Sequence, residues 1–310
     1  MEKAVCEFLL QNNPNVVEFA DLRSTYIANC VFNSFLFYTC IMLNIATIHA
    51  IRRTSSLPNP LKTLLLSLAV SDAGVGFLGR PFYILLLVKW LQHNNLACNT
   101  CFIFDVIQCV FFLASFLGVV AVSVDRFLAI HLHLRYQELV THKRVVAVVI
   151  SNWALSVFLP LTMFWIPMNI FILIFSFVGV LGLLVTTVVY IRIYVTVKTH
   201  KNQIQAQQVQ ERVENGEIAN FASLIKYALG ILYVYFAFLI CYLPLFICLV
   251  VLRINDLTIS LKQFYLFSWT LVYLNSTLNP VIYCWKMRQI RHAIINILRN
   301  MSWFRNRGTH

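Results

Sequence analysis

Seven apolar segments dominate the chain and exclude an ordinary soluble fold. Of the 310 residues, 60% are hydrophobic and only 12% are charged. Each segment is long enough for the roughly 20 residues with which a helix crosses a bilayer. No charged residue occurs between Val145 and Ile191, and Trp165 to Asn169 is the turn-like break that divides this stretch into two spans. The sequence therefore predicts an all-α membrane protein, a seven-transmembrane helix bundle, with its spans at residues 27–50, 61–88, 98–130, 145–166, 169–197, 224–252 and 263–285.

The basic residues predict the orientation of this bundle. Eighteen of the 24 lysine and arginine residues fall after the first span, after the third, around the connection from the fifth to the sixth, and in the tail. Cytoplasmic connections carry such an excess, so the net charge of +12 reflects topology and we expect no nucleic-acid partner. We predict a plasma-membrane protein with a short extracellular N-terminus at 1–26, a transmembrane domain at 27–285, and a cytoplasmic amphipathic helix and tail at 286–310. Ile290 and Ile294 are available on that helix to face lipid.

Polar side chains inside the spans are the first functional candidates, because ionisable groups in hydrocarbon are costly and rare. Asp72 lies near the middle of the second span, Asn44 in the first, Ser115 in the third, and Asn275 and Asn279 in the seventh. Their oxygen atoms at similar depth predict a hydrated site for a small cation. The alternative is a hydrogen-bond network that only joins the helices.

Two further motifs suggest moving parts. Asn279 to Tyr283 places Pro280 inside the seventh span, where proline frees a backbone carbonyl one turn earlier. Asp125 and Arg126 lie at the cytoplasmic end of the third span, where the acid can hold the base until another group binds the arginine. The alternative is an interfacial arginine that extends to water beside a counter-ion.

Taken together, these motifs resemble those of the class A, rhodopsin-like G-protein-coupled receptors over the whole chain. Residues 125–136 and the very short second outer loop are similar to the adenosine, melanocortin and cannabinoid cluster of that class. The motifs are Asn44 in the first span, residues 68–72 in the second, Cys101 and residues 125–127 in the third, Trp153 in the fourth, Tyr190 in the fifth, Phe238 and residues 241–244 in the sixth, and residues 279–283 in the seventh.

The resemblance implies a signalling mechanism. An extracellular ligand would act on the pocket floor, the sixth span would pivot outward, and a heterotrimeric G protein would bind the cytoplasmic cleft that opens. The resemblance also implies an allosteric sodium ion at Asp72, Ser115, Asn275 and Asn279, and we expect no other cofactor. The expected switch residues are Asp125, Arg126, Tyr190, Phe238, Pro244, Pro280 and Tyr283.

The chain departs from several ligand classes of that family. Gln108 stands where amine receptors carry an aspartate, Tyr273 where opsins carry a lysine, and Leu249 where adenosine receptors carry an asparagine. Of the three positions that are acidic in melanocortin receptors, only Asp105 is acidic here.

The expected pocket lining is mostly apolar and favours a mainly hydrophobic small molecule anchored by Asp105 and Gln108. Membrane lipid is a further expected partner of the protein. A short peptide or a purine on the same fold is the alternative ligand, and an aromatic core without a sizeable cavity is the alternative structure. The lining residues are Phe82, Tyr83, Asp105, Gln108, Phe112, Tyr242, Phe246, Trp269 and Tyr273.

Two departures concern stability and basal signalling. Cys101 matches the disulfide cysteine of the family, but the short second outer loop offers no partner, so the alternative is a disulfide between Cys6 and either Cys98 or Cys101. Leu224 stands where many relatives place a glutamate that faces the arginine of the third span. One restraint on the resting state is therefore missing, and we expect appreciable signalling without ligand.

The competing class is a seven-span transporter or channel. Transporters usually contain internal repeats with helices broken at corresponding positions, and the sequence shows no such symmetry. An enzyme would need a nucleophile or a metal set that converges within the spans, and the histidines lie mainly at membrane edges and in loops. We therefore predict that the protein is not an enzyme.

Overall fold

The computed structural model describes residues 18–55, 57–94, 97–132, 135–208, 233, 235–251, 258–286 and 290–295. Within these residues, helix is the only regular secondary structure. Seven helices lie at the predicted positions, and the first five are long and apolar enough to cross a membrane. They are span one (Phe19–Arg53), span two (Asn59–Leu91), span three (Cys98–Leu132), span four (His142–Phe164), span five (Met168–Gln208), span six (Tyr235–Val251) and span seven (Ile259–Lys286).

The helix of span one begins at Phe19, eight residues before the predicted start of the span at residue 27. The added turns are polar, but they are held by the outer end of span seven. Glu18 forms an ion pair with Lys262 at 2.6 Å, and the Gln263 side chain donates to the Asp21 carbonyl at 3.4 Å. Hydropathy alone misses this extension because a tertiary contact stabilises it.

The seam between spans one and seven is polar along much of its length. The Asn33 amide donates to the Thr270 hydroxyl at 2.8 Å, and that hydroxyl in turn donates to Asn29. Deeper in the membrane, the Asn44 amide donates to the Ser276 carbonyl at 2.9 Å. In hydrocarbon such bonds join helices that lack a hydrophobic drive to associate.

Span two contains a π-helical segment, Val75–Gly79, shortly before Pro81. Proline has no N–H to donate and crowds the preceding turn, and a π segment is one way in which a helix accommodates that defect. Arg80 follows the segment directly, and its fully buried side chain enters the seam between spans one and seven.

The connection from span four to span five is very short, as predicted. A 3-10 turn, Thr162–Phe164, ends span four, and span five begins at Met168. Span five continues to Gln208, beyond its predicted end at residue 197. Residues 290–295 are helical, but Ile290 is fully buried in the core, so the expectation that it faces lipid is wrong.

The predicted disulfide role of Cys101 is wrong. Cys101 is a free thiol, whereas Cys98 is disulfide-bonded. Cys98 is the first residue of span three and can meet a neighbouring segment, but Cys101 lies one turn inside the helix. Because the other described cysteines are free, the partner of Cys98 lies outside the described residues, as does the predicted partner Cys6.

Candidate functional site

Asp72 is the centre of a buried polar network between spans two, three and seven. Its Oδ1 accepts a hydrogen bond from the Ser115 hydroxyl at 2.9 Å, and its Oδ2 accepts one from the Asn279 amide at 2.8 Å. Asn275 is fully buried nearby on span seven, and the Tyr242 hydroxyl faces both Ser115 and Asn275. The structure therefore brings the four predicted cation-site residues to one level of the bundle.

This network contains acceptors that no described donor satisfies. The side-chain oxygens of Asn44, Asn275 and Asn279 are buried without a hydrogen-bond partner among the described residues. Buried polar atoms are normally bonded to protein, water or an ion, and hard cations take oxygen ligands. Asp72 with these oxygens therefore fits a sodium ion.

Arg80 is a buried cation that the sequence analysis did not single out. Its guanidinium donates to the carbonyls of Leu36 and Tyr273 and to the Thr277 hydroxyl at 2.7 Å. It makes no direct ion pair within the described residues, but its charge acts through space on Asp72. The signal was present in the sequence, because an arginine within an apolar span is a functional candidate by the argument that selected Asp72.

An aromatic chain connects the pocket floor to the middle of the bundle. The ring centroids of Phe112 and Tyr242 are 4.7 Å apart, those of Tyr242 and Phe238 are 4.2 Å apart, and those of Phe238 and Phe116 are 5.0 Å apart. Rings at such separations attract each other beyond the effect of area burial. The four rings therefore form one continuous packed contact between spans three and six.

Two glycines on span five allow this packing. A Cβ atom on Gly182 would lie 2.4 Å from the Phe116 ring, and a Cβ atom on Gly179 would lie 2.4 Å from the Phe246 ring. Neither contact is sterically possible, so both rings occupy space that only glycine leaves open. The sequence analysis missed this role of both glycines.

The predicted ligand-lining residues form two layers. The inner layer of Phe112, Tyr242, Phe246 and Tyr273 is closely packed, with each side chain at most 7% exposed. The outer layer is more open, because Asp105, Gln108 and Trp269 are partly exposed. Phe82 is buried beside it, with its ring centroid 3.8 Å from that of Phe104. Tyr83 belongs to neither layer, since it packs between spans one, two and seven and its hydroxyl donates to the Leu266 carbonyl at 3.1 Å.

The two predicted polar anchors differ in their surroundings. The Gln108 carbonyl oxygen accepts a hydrogen bond from the Tyr273 hydroxyl at 2.7 Å. Asp105 has no hydrogen-bond or ion-pair partner among the described residues. Gln108 is thus part of an internal contact between spans three and seven, and Asp105 is available to a ligand.

At the cytoplasmic end of span three, Asp125, Arg126 and Tyr136 bond to one another and form a closed cluster, the Arg126 lock. Arg126 is 1% exposed and is ion-paired with Asp125. The Tyr136 hydroxyl, in the segment after span three, donates to Asp125 Oδ1 at 2.7 Å and accepts from Arg126 at 3.4 Å. Burial, and secondarily the charge of Asp125, raise the pKa of Tyr136, so this hydroxyl remains a donor at physiological pH.

Of the remaining predicted switch residues, Tyr190 and Tyr283 lie near this lock. The Ser123 hydroxyl donates to the Tyr190 hydroxyl at 3.3 Å, and the Tyr190 and Tyr235 rings stack at 5.0 Å. Tyr283 is buried, and its hydroxyl has no partner among the described residues. Pro280 is buried within span seven, and Pro244 lies within span six. Leu224 lies outside the described residues.

Replacement of Tyr136 by phenylalanine is expected to raise ligand-free nucleotide exchange about fivefold, because a typical hydrogen bond contributes about 1 kcal/mol net and this one stabilises the closed lock. The rate of exchange on purified G protein measures the effect. Tyr194→Phe is the matched control, because Tyr194 is 64% exposed on span five. An unchanged rate in the Tyr136 variant would show that its hydroxyl does not hold the lock closed.

A helix bundle with a buried acid network, a proline in span seven and a cytoplasmic arginine lock is the architecture of a membrane signalling receptor. The family model for the 7 transmembrane receptor (rhodopsin family) matches residues 43–168 and 162–283, and the chain belongs to this family. The match confirms the predicted seven-helix fold class and favours a G-protein-coupled receptor over a transporter or channel.

Adenosine receptors are among the relatives of the chain. The adenosine receptor A2a of Canis lupus familiaris is 27% identical over 299 residues, which cover 84% of this chain and 69% of the relative. The adenosine receptor A2b of Gallus gallus is 26% identical over 318 residues, which cover 89% of each chain. The A2b receptor of Bos taurus is 24% identical over 293 residues, which cover 82% of this chain and 84% of the relative. The predicted likeness to the adenosine cluster is confirmed.

Proposed function

We propose that this G-protein-coupled receptor binds a mainly hydrophobic extracellular small molecule in its outer layer and activates a heterotrimeric G protein at the Arg126 lock. In the proposed orientation of the receptor, the N-terminus is outside the cell and the C-terminus is in the cytoplasm. The observation that carries the proposal is the aromatic chain from Phe112 through Tyr242 and Phe238 to Phe116. It provides a continuous packed connection from the pocket floor to the middle of the bundle.

The proposed mechanism is a shift between two packings of the same helices. A ligand that contacts Tyr242 more favourably in the second packing stabilises it, and can do so only by its difference in affinity for the two. Span six is the element that moves, because Pro244 removes a backbone hydrogen bond within it. Its outward motion would separate Tyr235 from Tyr190 and open the cleft in which Arg126 meets the G protein.

Asp72, Ser115, Asn275 and Asn279 are the proposed sodium residues. A bound sodium ion supplies positive charge to the Asp72 carboxylate. The asparagine oxygens of span seven are buried and unpaired at this site in the packing described above, so a bound ion would favour that packing as the resting state. The same residues act as hydrogen-bond partners between the helices when Asn279 and Ser115 donate to Asp72.

A purine is the second candidate ligand, and the named relatives support it. Leu249 argues against it, because adenosine receptors carry an asparagine at that position. The affinity of the receptor for adenosine is compared, in one binding assay, with its affinity for uncharged molecules of similar size that lack a purine ring. This comparison distinguishes the two ligand classes.

The test of G-protein coupling uses cell membranes that contain the receptor, with and without Arg126→Ala, and a panel of purified G proteins. We expect ligand-free nucleotide exchange to be faster than in the Arg126→Ala membranes for at least one G protein, because Leu224 removes one restraint on the resting state. Arg53→Ala is the matched control, since Arg53 is an exposed arginine on the same face. Equal exchange rates in receptor and Arg126→Ala membranes across the whole panel, at matched receptor amounts, would contradict the proposal of basal coupling.

A further inference from the structure

Among the described residues, the acid Asp105 of the outer layer has no counter-ion. Asp105 is partly buried on span three, one turn outward from Gln108. The buried cations of the outer half are already engaged, since Lys262 pairs with Glu18 and Arg80 donates to spans one and seven. A charge that is partly withdrawn from water without a partner is unfavourable, so Asp105 gains most from a positive group that enters with the ligand.

Two tyrosines of span seven lie near this acid, and Trp269 lies beside both of them. The Asp105 carboxylate lies within electrostatic range of the Tyr265 and Tyr273 hydroxyls on span seven. Trp269 lies between those tyrosines, with its ring centroid 6.2 Å from each of theirs. The rings of Tyr265 and Trp269 are partly exposed, so their faces are open to a ligand. A carboxylate beside the faces of tryptophan and tyrosine is the chemistry that binds organic cations.

The helical register places this acid correctly for a ligand in the pocket. Asp105, Gln108, Cys109 and Phe112 stand at intervals of three and four residues, so they share one face of span three. Phe112 is in contact with Tyr242 at the head of the aromatic chain. A ligand with a cationic end at Asp105 and an apolar body toward Phe112 would therefore reach the switch.

We infer that Asp105, Tyr265 and Trp269 form a cation site, and that the ligand of this receptor carries a protonated amine or a quaternary ammonium group on an apolar body. The inference rests on the proposed function, because it names the ligand class of the same pocket. Amine receptors carry an aspartate at the position of Gln108, so an amine finds no counter-ion there in this chain. Asp105 supplies a carboxylate one turn further out. A cationic side chain of a peptide has the same chemistry as a free amine, so the test includes both sources.

The test compares three probes of one shape in binding to the purified receptor: 4-phenylbutylamine, 4-phenylbutanol and 4-phenylbutyrate. Binding is measured as a saturable rise in the unfolding temperature, which requires no G protein. We expect the protonated amine to bind at least tenfold more tightly than the alcohol, and the carboxylate to bind most weakly. Asp105→Asn should remove the preference for the amine. A short lysine-containing peptide and its acetyl-lysine counterpart, measured in the same way, distinguish a peptide from a small-molecule source.

Asp21→Asn is the matched control, because Asp21 is an exposed acid on the same side of the membrane. Equal binding of amine and alcohol to the unmodified receptor would overturn the inference, even if Asp105→Asn failed to fold. An amine preference that survives Asp105→Asn would overturn the assignment to Asp105. Failure of the proposed function is distinguishable, since it would appear as nucleotide exchange equal to that of Arg126→Ala membranes while probe binding persisted.

Discussion

Gly182→Ala is expected to destabilise the receptor by about 1–3 kcal/mol, whereas Gly118→Ala is expected to be neutral or slightly stabilising. Both changes replace a helical glycine with alanine, and the higher helix propensity of alanine by itself stabilises the helix by up to about 1 kcal/mol. The added methyl group on Gly182 would meet the Phe116 ring at 2.4 Å, and that ring is confined by Phe238. The added methyl group on Gly118 would meet the mobile end of Leu68 at 3.3 Å.

Thermal unfolding of the two variants in detergent micelles measures this difference. Because chemistry and helix propensity are matched, the difference between the two variants isolates the contact with Phe116. The same unfolding temperature in both would show that the Phe116 ring can move without cost. It would also remove the argument that the aromatic chain is tightly coupled.

Arg80→Gln is expected to make the receptor bind sodium about tenfold more tightly. Two unit charges 4 Å apart interact by about 4 kcal/mol at an effective dielectric constant of 20, and by half of that at twice the distance. The positive charge of Arg80 acts on Asp72 and therefore opposes a second cation beside it. Glutamine removes that charge and retains a donor for the Thr277 hydroxyl.

Unfolding temperatures in sodium chloride and in choline chloride of equal ionic strength give the sodium affinity. Arg23→Gln is the matched control, because Arg23 is an exposed arginine of span one. Asp72→Asn, alone or combined with Arg80→Gln, should abolish the dependence on sodium. Identical sodium dependence in the receptor and in Arg80→Gln would show that the Arg80 charge does not reach the cation site.

The Asp72 network was predictable because each of its members is costly in hydrocarbon and must find partners at the same depth. The motif resemblance likewise located Arg126, Tyr190 and Tyr283 near one another. Arg80 was equally visible in the sequence. It was missed because the basic residues were considered in the connections between spans, whereas Arg80 lies inside a span. Whether Asp125 pairs with Tyr136 could not be predicted, because it depends on the path of the segment after span three.

Side-chain packing accounts for the other differences. In the sequence, Gln108 and Asp105 look alike, as two polar residues one turn apart on span three. The structure distinguishes them, because the Tyr273 hydroxyl bonds to Gln108 and no described residue bonds to Asp105. The roles of Gly179 and Gly182 depend on ring positions from spans three and six. The choice between Cys98 and Cys101 depends on one helical turn, which spacing in the sequence does not resolve.

The polar seam between spans one and seven distinguishes two parts of span seven, an outer part that is bonded to its neighbours and the part beyond Pro280. Lys262 and Thr270 attach the outer part to span one, and Arg80 holds the Tyr273 carbonyl. Beyond Pro280, the Tyr283 hydroxyl has no such attachment among the described residues. Span seven is therefore attached to span one at its outer end, and a bend of span seven at Pro280 would move the turn that carries Tyr283 relative to this attached part.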